Sequence, residues 1–424
     1  MVPVSVTIVL FLLHSLTMFV LSGRDRPPAG EPPDLLFVVL IPCLDEGVVI
    51  DRTLHRLRAL DVPNVRVLVV DDGSADTTAD LVAAHAADDP RIGLLTRRLP
   101  LARQGKGRAL NDAFTRLVGS PLVAGHREED VVVVVLDADG RPEANMFTEA
   151  GRHFADPRCG AVQVGVRMYN VAESLLARMQ DFEFVVFTEV YQRGRMRTGS
   201  VGLGGNGQFA RLKALRDLGG DPWTECLTED LDLGIRLQVL GWQNRFARTT
   251  YVAQQAVVSP RRLLRQRTRW FQGHLQCLRR IPLIIRSPLT LVSSLDLVHH
   301  LLAPLVILLT SSLPVLLSIW AVLYALDSSH PLTHLDLVPW FVWVGAYAIT
   351  FGLAPLLGYV YWRTTRLPAW RVLLLAHVYV LYAWLWYVAG WWAVVRTARG
   401  RSGWAKTART RSAETLVVEQ RAAA

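Results

Sequence analysis

The stretch VVVVVLDADG, residues 131–140, places five consecutive valines before Asp137 and Asp139. An apolar run without alternation is typical of a strand buried on both faces, in the middle of a parallel sheet that helices cover. The two aspartates then lie at the carboxyl end of that strand, where open α/β sheets bind ligands. Such a pair either presents oxygens to a hard divalent cation or forms a turn before the helix near Pro142. This stretch alone leaves both interpretations open.

Strand and helix patterns alternate on the N-terminal side of the valine run. The segments LFVVLIP, VRVLVVDDGS and RIGLLT are typical of strands, and helical stretches begin near Val48, Ala75 and Arg108. This alternation predicts a doubly wound α/β sheet. We expect the corresponding domain to occupy residues 34–260.

The composition indicates a membrane protein, because 51% of the 424 residues are hydrophobic and only 20% are charged. Residues 2–23 carry no charge and precede Arg24 and Arg26. They lack the basic start of a signal peptide, so we expect a retained transmembrane helix over residues 1–23. Residues 289–395 are again mostly apolar, with Trp and Tyr near the ends of segments, which predicts a transmembrane region. The expected location is the cell membrane, with several crossings.

The net charge of +9 does not indicate nucleic-acid binding. Lys and Arg are concentrated beside apolar segments, as expected from the positive-inside rule and from attraction to anionic lipid headgroups. Arg24 and Arg26 therefore predict an external N-terminus and a cytoplasmic α/β domain. The four cysteines lack metal-ligand spacing and are expected to be free thiols; they are Cys43, Cys159, Cys226 and Cys277.

Three further segments carry polar residues in informative places. In VVDDGS, Asp71 and Asp72 follow a second apolar strand, so their carboxylates belong to the same sheet edge as the first pair. In LTEDLDLG, Thr228 is a candidate cap, with Glu229 and Asp230 in the first helical turn, where acids usually only stabilise the helix dipole. The segment RRLLRQRTRWFQGHL has the pattern of a basic amphipathic helix lying on a membrane surface.

The motifs DDGS, DAD, TED and QRTRW, in this order, resemble those of the family 2 glycosyltransferases. The resemblance is to the membrane-integrated processive branch, which includes cellulose, hyaluronan and chitin-oligosaccharide synthases, and it extends over almost the whole chain. It implies a GT-A-like, Rossmann-like cytoplasmic domain at residues 34–260. It also implies amphipathic interface helices with the QxxRW motif at residues 261–288 and a transmembrane helix bundle at residues 289–395.

The resemblance implies a site for a UDP-sugar donor. Asp71 and Asp72 would contact the uracil, and Lys106 would lie near the nucleotide. Asp137 would contact the nucleotide sugar and, together with Asp139, hold Mg²⁺ or Mn²⁺ on the diphosphate. The chemistry agrees, because a departing diphosphate requires a hard cation and fixed positive charge.

The resemblance also implies roles on the acceptor side. Asp230 would be the general base that removes the proton of the attacking hydroxyl, and Arg269 would stabilise the leaving diphosphate. Glu229, Gln266 and Trp270 would contact the acceptor. In-line attack without a covalent intermediate would invert the anomeric centre.

Two segments depart from the family pattern. IPCLDE has Asp45 where Asn is common, and GLGGNGQFAR replaces a Gly-Thr-Gly segment. Its glycines are expected to let the backbone approach the acceptor, while Asn206 and Gln208 leave the identity of the acceptor open.

The C-terminal third allows more than one arrangement. Candidate spans at residues 303–326, 338–362 and 372–395 would leave the basic tail outside, against the positive-inside rule. Either residues 289–326, interrupted by Pro304 and Pro314, cross twice, or the last segment lies in the interface.

The tail at residues 396–424 is expected to be cytoplasmic. It resembles the Trp-containing gating loop of hyaluronan synthases, whose contacts here would be Trp404, Lys406, Thr407 and Arg409. A plain basic juxtamembrane tail is the alternative.

Together these features predict an inverting, metal-dependent glycosyltransferase that extends a polysaccharide or other glycan from a UDP-sugar, processively and coupled to export across the membrane. One alternative is a non-processive transferase acting on a lipid carrier or glycolipid. Another is an inactive scaffold or partner subunit, which the intact Asp72, Asp139 and Asp230 argue against. Product length separates the first two possibilities.

Overall fold

The five valines of residues 131–135 form a strand, and each of them is buried. This structure is a computed structural model that describes residues 2–60, 62, 64–326 and 340–401. The tail residues Trp404, Lys406, Thr407 and Arg409 lie outside this description, so the gating loop stays a prediction. The four cysteines are free and buried.

The first half of the chain alternates strands and helices as predicted. Its elements are α1 (Val2–Ser22), β1 (Leu36–Cys43), α2 (Ile50–Ala59), β2 (Val65–Asp71), α3 (Thr78–Asp88), β3 (Ile92–Thr96), α4 (Lys106–Val118), β4 (Val131–Val135), β5 (Arg141–Pro142) and α5 (Met146–Arg152). A short 3₁₀ turn over His153–Ala155 follows.

The remaining sheet elements are β6 (Cys159–Met168), α6 (Leu175–Val186), α7 (Arg193–Thr198), β7 (Gln208–Arg211), α8 (Leu212–Asp217), α9 (Glu229–Val239) and β8 (Gln243–Gln254). A π-helical turn over Phe187–Gln192 joins α6 to α7. The outer helices are α10 (Pro260–Cys277), α11 (Ile281–Arg286), α12 (Leu291–Leu326), α13 (Trp340–Phe351), α14 (Ala354–Thr364), α15 (Ala369–Tyr382) and α16 (Trp384–Ala398). A 3₁₀ turn over Leu278–Arg280 connects α10 to α11.

The eight strands form one mixed sheet in the order β3-β2-β1-β4-β7-β6-β8-β5. β1 to β4 are parallel, whereas β7 runs antiparallel to both β4 and β6. The alternation of strands and helices did not predict this reversed strand. Because β7 runs against β4, the glycine-rich loop before β7 lies at the carboxyl end of β4, beside the aspartate pair.

Helices cover both faces of the sheet. Val39 and Val134 pack in one apolar layer with α2, α3 and α5, and Val38 and Val133 pack in the other with α4, α8 and α9. Burial on both faces is the reason that β1 and β4 are apolar without alternation. The core therefore holds the carboxyl edge of the strands in a fixed position.

The outer helices differ from the predicted transmembrane bundle. Two segments of the described chain are long and apolar enough to cross a membrane, Leu291–Thr310 and Ala369–Ala398, and Val9–Ser22 is a shorter apolar helix. α12 continues through Pro304 and Pro314 as one helix of 36 residues. Residues 291–326 therefore do not turn back, and the possibility that this segment crosses twice is wrong.

Candidate active site

The carboxyl ends of the central strands open into a cavity of about 830 Å³. Charged side chains form its floor: Glu46, Asp72, Lys106, Asp137, Glu229, Asp230 and Arg269. Gln266 and Trp270 also line the cavity. Of the predicted site residues, Asp71 and Asp139 lie beneath the wall, each only 2% exposed. The structure thus brings most of the four motifs to one site.

Lys106 connects two of the motifs. It is the first residue of α4, directly after Gly105, whose φ of 109° is a conformation that glycine adopts without strain. Its Nζ donates to Asp137 Oδ1 at 2.8 Å and to the Gly205 carbonyl oxygen at 2.8 Å, and lies 3.8 Å from Glu229 Oε1. Burial favours the neutral amine, but the carboxylates of Asp137 and Glu229 outweigh it, so the pKa of Lys106 is raised. Lys106 therefore provides a fixed positive charge in the floor.

Asp72 is held by two basic residues. Its Oδ1 accepts hydrogen bonds from the Arg103 backbone N–H at 3.0 Å and from the Arg97 guanidinium. Burial raises the pKa of Asp72 despite these two partners. Neighbouring Asp71 accepts a hydrogen bond from the Ser74 N–H at 3.3 Å, so it stabilises the turn beneath Asp72.

The two aspartates after β4 have different surroundings. Asp137 faces the cavity, and its backbone N–H donates to Asn206 Oδ1 at 3.1 Å. Asp139 is buried, and its Oδ2 accepts a hydrogen bond from the Gln255 N–H at 2.8 Å. Two carboxylates on one loop, with one open to the cavity, form a donor set that fits a hard cation such as Mg²⁺ or Mn²⁺.

The TED segment places two acids at the start of α9. The predicted side-chain cap by Thr228 is wrong, because within the described residues its side chain makes no capping hydrogen bond to this helix. Its Oγ1 lies 3.6 Å from Cys226 Sγ instead. Burial raises the pKa of Glu229 to about 7, and burial also raises the pKa of Asp230. A carboxylate with a raised pKa suits proton transfer near neutral pH.

The glycine-rich loop approaches this acid pair closely. A Cβ on Gly205 would lie 3.1 Å from Lys106 Nζ and 3.2 Å from Asp230 Oδ2. Gln163 holds the loop, because its Oε1 accepts from the Gly204 N–H and its Nε2 donates to the Asn206 carbonyl oxygen, both at 2.8 Å. Sequence analysis missed Gln163, although a glutamine within the apolar strand CGAVQVGV was a usable signal.

Helix α10 carries the QRTRW motif and packs directly against the TED segment. A Cβ on Gly273 would lie 2.6 Å from the Thr228 backbone nitrogen, so only glycine permits this approach. α16 covers α10 from the other side, where a Cβ on Gly390 would lie 3.1 Å from Phe271 and from Leu308. α10 is therefore packed between the TED segment and α16, while Arg261 and Arg265 near its start are exposed; its position at a membrane surface stays a prediction.

The roof of the cavity is mostly apolar and aromatic, although His274 and His300 also line the cavity. Its side chains come from α1, α6 and the π-helical turn, α12, α15 and α16: Phe11, Phe184, Phe187, Pro304, Ile307, Leu308, Val380, Trp384, Trp386 and Tyr387. Sequence analysis missed all of these residues. They belong to separate helices, and no short motif marks them.

Comparison with known proteins gives a family and a fold. The family model described as "Glycosyltransferase like family 2" matches residues 32–273, more than half of the 424-residue chain. The mannosyltransferase PcManGT from Pyrobaculum calidifontis, solved with GDP-Man and Mn²⁺, superposes with a TM-score of 0.57 at 21% identity over 90% of this chain and 99% of that one. The α/β domain with its mixed sheet is thus GT-A-like.

Two curated relatives are similar in sequence. The Beta-monoglucosyldiacylglycerol synthase of Synechocystis sp. is 30% identical over 273 residues, which cover 62% of this chain and 54% of that protein. The Probable glycosyltransferase YdaM of Bacillus subtilis is 33% identical over 242 residues, which cover 56% and 54% of the two chains. This chain matches only about half the length of these relatives.

Proposed function

Since the chain belongs to glycosyltransferase family 2, we propose that it transfers one hexose from a UDP-sugar to the hydroxyl group of a membrane lipid of the diacylglycerol class. The enzyme is a glycosyltransferase of the hexosyltransferase type, so the inactive-scaffold alternative is set aside. The proposal specifies the acceptor and the number of sugars that are added.

The observation that carries the proposal is the two-sided cavity. Its floor is charged, while aromatic and aliphatic side chains from the outer helices form its roof. A growing polysaccharide presents hydroxyl groups along its whole length, and aliphatic side chains such as Ile307, Leu308 and Val380 offer them no partners, whereas a lipid presents one hydroxyl next to apolar chains. The apolar roof favours the lipid.

The relatives support the same choice. A protein named Beta-monoglucosyldiacylglycerol synthase is among the sequences that match. The non-processive alternative is therefore better supported than the processive polysaccharide synthase that the motifs led us to expect.

On the donor side, we assign Asp72 to the uracil and Lys106 to the diphosphate region, which its charge at the floor suits. Asp137 and Asp139 would hold Mg²⁺ or Mn²⁺, which supplies positive charge for the departing diphosphate. Arg269 adds positive charge at the same site.

On the acceptor side, we assign the general base to Asp230, with Glu229 beside it as a further carboxylate of raised pKa. Burial of the pair strengthens each carboxylate as a base, because it disfavours the ionised form. Gln266 and Trp270 would orient the lipid hydroxyl. In-line attack by this hydroxyl would invert the anomeric centre.

The test uses the purified protein in detergent micelles with diacylglycerol, a divalent metal and each common UDP-sugar in turn. We expect one donor to yield a lipid heavier by a single hexose, detected by mass spectrometry, together with released UDP. Release of UDP without any lipid product, or growth of an aqueous polymer, would contradict the proposal.

A further inference from the structure

A carboxylate behind the cavity wall joins α6 to the outer helices. Glu183 Oε2 accepts hydrogen bonds from Arg267 Nη2 and from the Tyr382 hydroxyl, both at 2.7 Å. Its Oε1 accepts from Trp386 Nε1 at 2.8 Å. One side chain of the sheet domain thus binds α10, α15 and α16.

Arg267 contacts two aromatic rings of the cavity. Its guanidinium carbon is 4.2 Å from the ring centroid of Trp270 and 5.1 Å from that of Trp386. Its side chain is only 1% exposed. A planar guanidinium can stack on an indole and donate to a carboxylate at the same time, which an ammonium group cannot reproduce.

We propose that Glu183 and Arg267 are positioning residues that set the orientation of the Trp270 and Trp386 rings, and through them the place of the acceptor. Both residues lie behind the wall, so they act through the rings. The inference rests on the proposed lipid transfer only for the chemical class of the acceptor.

The buried ion pair is not expected to add much to the stability of the fold. Desolvation of two charges offsets their attraction, and apolar replacements of such pairs are often neutral or stabilising. The pair does constrain the two tryptophan rings, because Trp386 donates to Glu183 and both rings contact the guanidinium of Arg267. The pair therefore fixes the geometry of the acceptor wall.

The inference predicts a specific kinetic signature. An acceptor must be held near the anomeric carbon and in line with the leaving group, whereas water needs no such surface. Disturbing the pair should raise the KM for the acceptor and favour hydrolysis of the donor over transfer. A residue with a merely structural role would lower both reactions together.

Two tyrosines provide a matched test. Tyr382 donates to Glu183 at 2.7 Å, and Tyr361 donates to Asp181, also on α6, at 3.0 Å. We expect Tyr382→Phe to raise the acceptor KM by ~3- to 10-fold, the scale of one lost hydrogen bond, with the donor KM unchanged. Tyr361→Phe should leave both constants as in the wild type. Equal acceptor KM values in the two variants would overturn the inference.

A double variant covers the case in which single charge deletions fail to fold. Glu183→Gln with Arg267→Gln removes both charges and leaves neither one unpaired, so we expect a folded protein by circular dichroism and thermal melting. Its acceptor KM should rise at least ~10-fold while hydrolysis of the donor persists. The single variant Arg267→Lys keeps the charge but not the planar group, so its acceptor KM should also lie above the wild-type value. A folded double variant with wild-type acceptor KM would overturn the inference.

These experiments use whichever acceptor the wild-type enzyme glycosylates. If that acceptor is not a lipid, the proposed function fails, but the contrast between the two tyrosine variants still tests the positioning pair.

Discussion

The floor and the roof of the cavity differ in polarity and in the elements that supply their side chains. The floor is made of carboxylates and cations after buried strands and at the starts of α4 and α9, together with Arg269 of α10. The roof is made of apolar rings and branched chains from helices spread over most of the chain. The floor suits a charged nucleotide sugar, and the roof suits an apolar acceptor.

This difference separates two properties of the enzyme. In the proposed function, chemistry and donor binding depend on a few charged groups, each of which should have a large effect on turnover. Acceptor choice depends on the shape and polarity of a large surface, so single changes there should have smaller and more selective effects.

The largest expected effect comes from the candidate base. Asp230→Asn removes the proton acceptor but keeps the shape of the side chain, so turnover should fall by ~10² to 10⁴. Binding of the UDP-sugar, measured by calorimetry, should remain. Near-normal turnover of this variant would mean that Asp230 is not the base and that Glu229 is the next candidate. Glu229→Gln is the matched comparison.

Metal removal should come next. If Asp137 and Asp139 hold a divalent cation, excess EDTA should lower turnover by ~10² to 10³, on the scale of losing one electrostatic stabiliser, and Mn²⁺ or Mg²⁺ should restore it. UDP binding measured by calorimetry should weaken without metal in the wild type, and Asp139→Asn should abolish that dependence. Full activity in EDTA would refute the metal assignment.

The motifs explain why the floor was predictable. DDGS, DAD and TED each join a strand or helix to a short polar segment. The hydrophobic pattern of these elements and the order of the motifs along the chain therefore predicted that Asp72, Asp137 and Asp230 lie in one site. Glu183 and Gln163 were missed, because their roles depend on partners distant in sequence. The reversed strand β7 was missed for the same reason, since its direction depends on pairing with β4 and β6.

The roof had no comparable signal. An apolar residue in an apolar helix looks the same whether it faces a lipid, a neighbouring helix or a cavity. Ile307 and Trp384 could be assigned to the cavity only after the helices were placed. The motifs therefore located the donor side of the site but not the acceptor side, and the proposed lipid acceptor rests on the apolar lining and on the relatives.

A polar substitution in the roof should have an intermediate and selective effect. Ile307→Asn places an amide among apolar groups, at a cost of about 1–3 kcal/mol when unpaired, so transfer to lipid should fall ~10- to 100-fold. Donor hydrolysis should change little. Ile307→Leu is the control, because it keeps the side chain apolar and of similar volume. Equal losses in both variants would count against the lipid-facing roof.

The buried acid pair also predicts a pH dependence, which is small near neutral pH. Because burial raises the pKa of Glu229 from 4.5 to about 7, activity that requires its ionised form should fall about tenfold per pH unit below that value. The folded protein binds this proton more tightly than the unfolded chain, so its contribution to stability decreases as pH rises from 4.5 to about 7. Glu229→Gln should shift the pH profile of activity, which the raised pKa of Asp230 still limits at low pH, and should remove the contribution of Glu229 to the pH profile of stability. Unchanged profiles would mean that this carboxyl is not coupled to turnover.

The number of sugars added per acceptor tests the central claim most directly. The enzyme is supplied with limiting diacylglycerol and a large excess of its UDP-sugar, and the product is sampled over time by mass spectrometry. The account predicts a lipid with one hexose at every time point, even after the acceptor is exhausted. A ladder of longer products, or a polymer that grows with time, would contradict it and restore the processive interpretation.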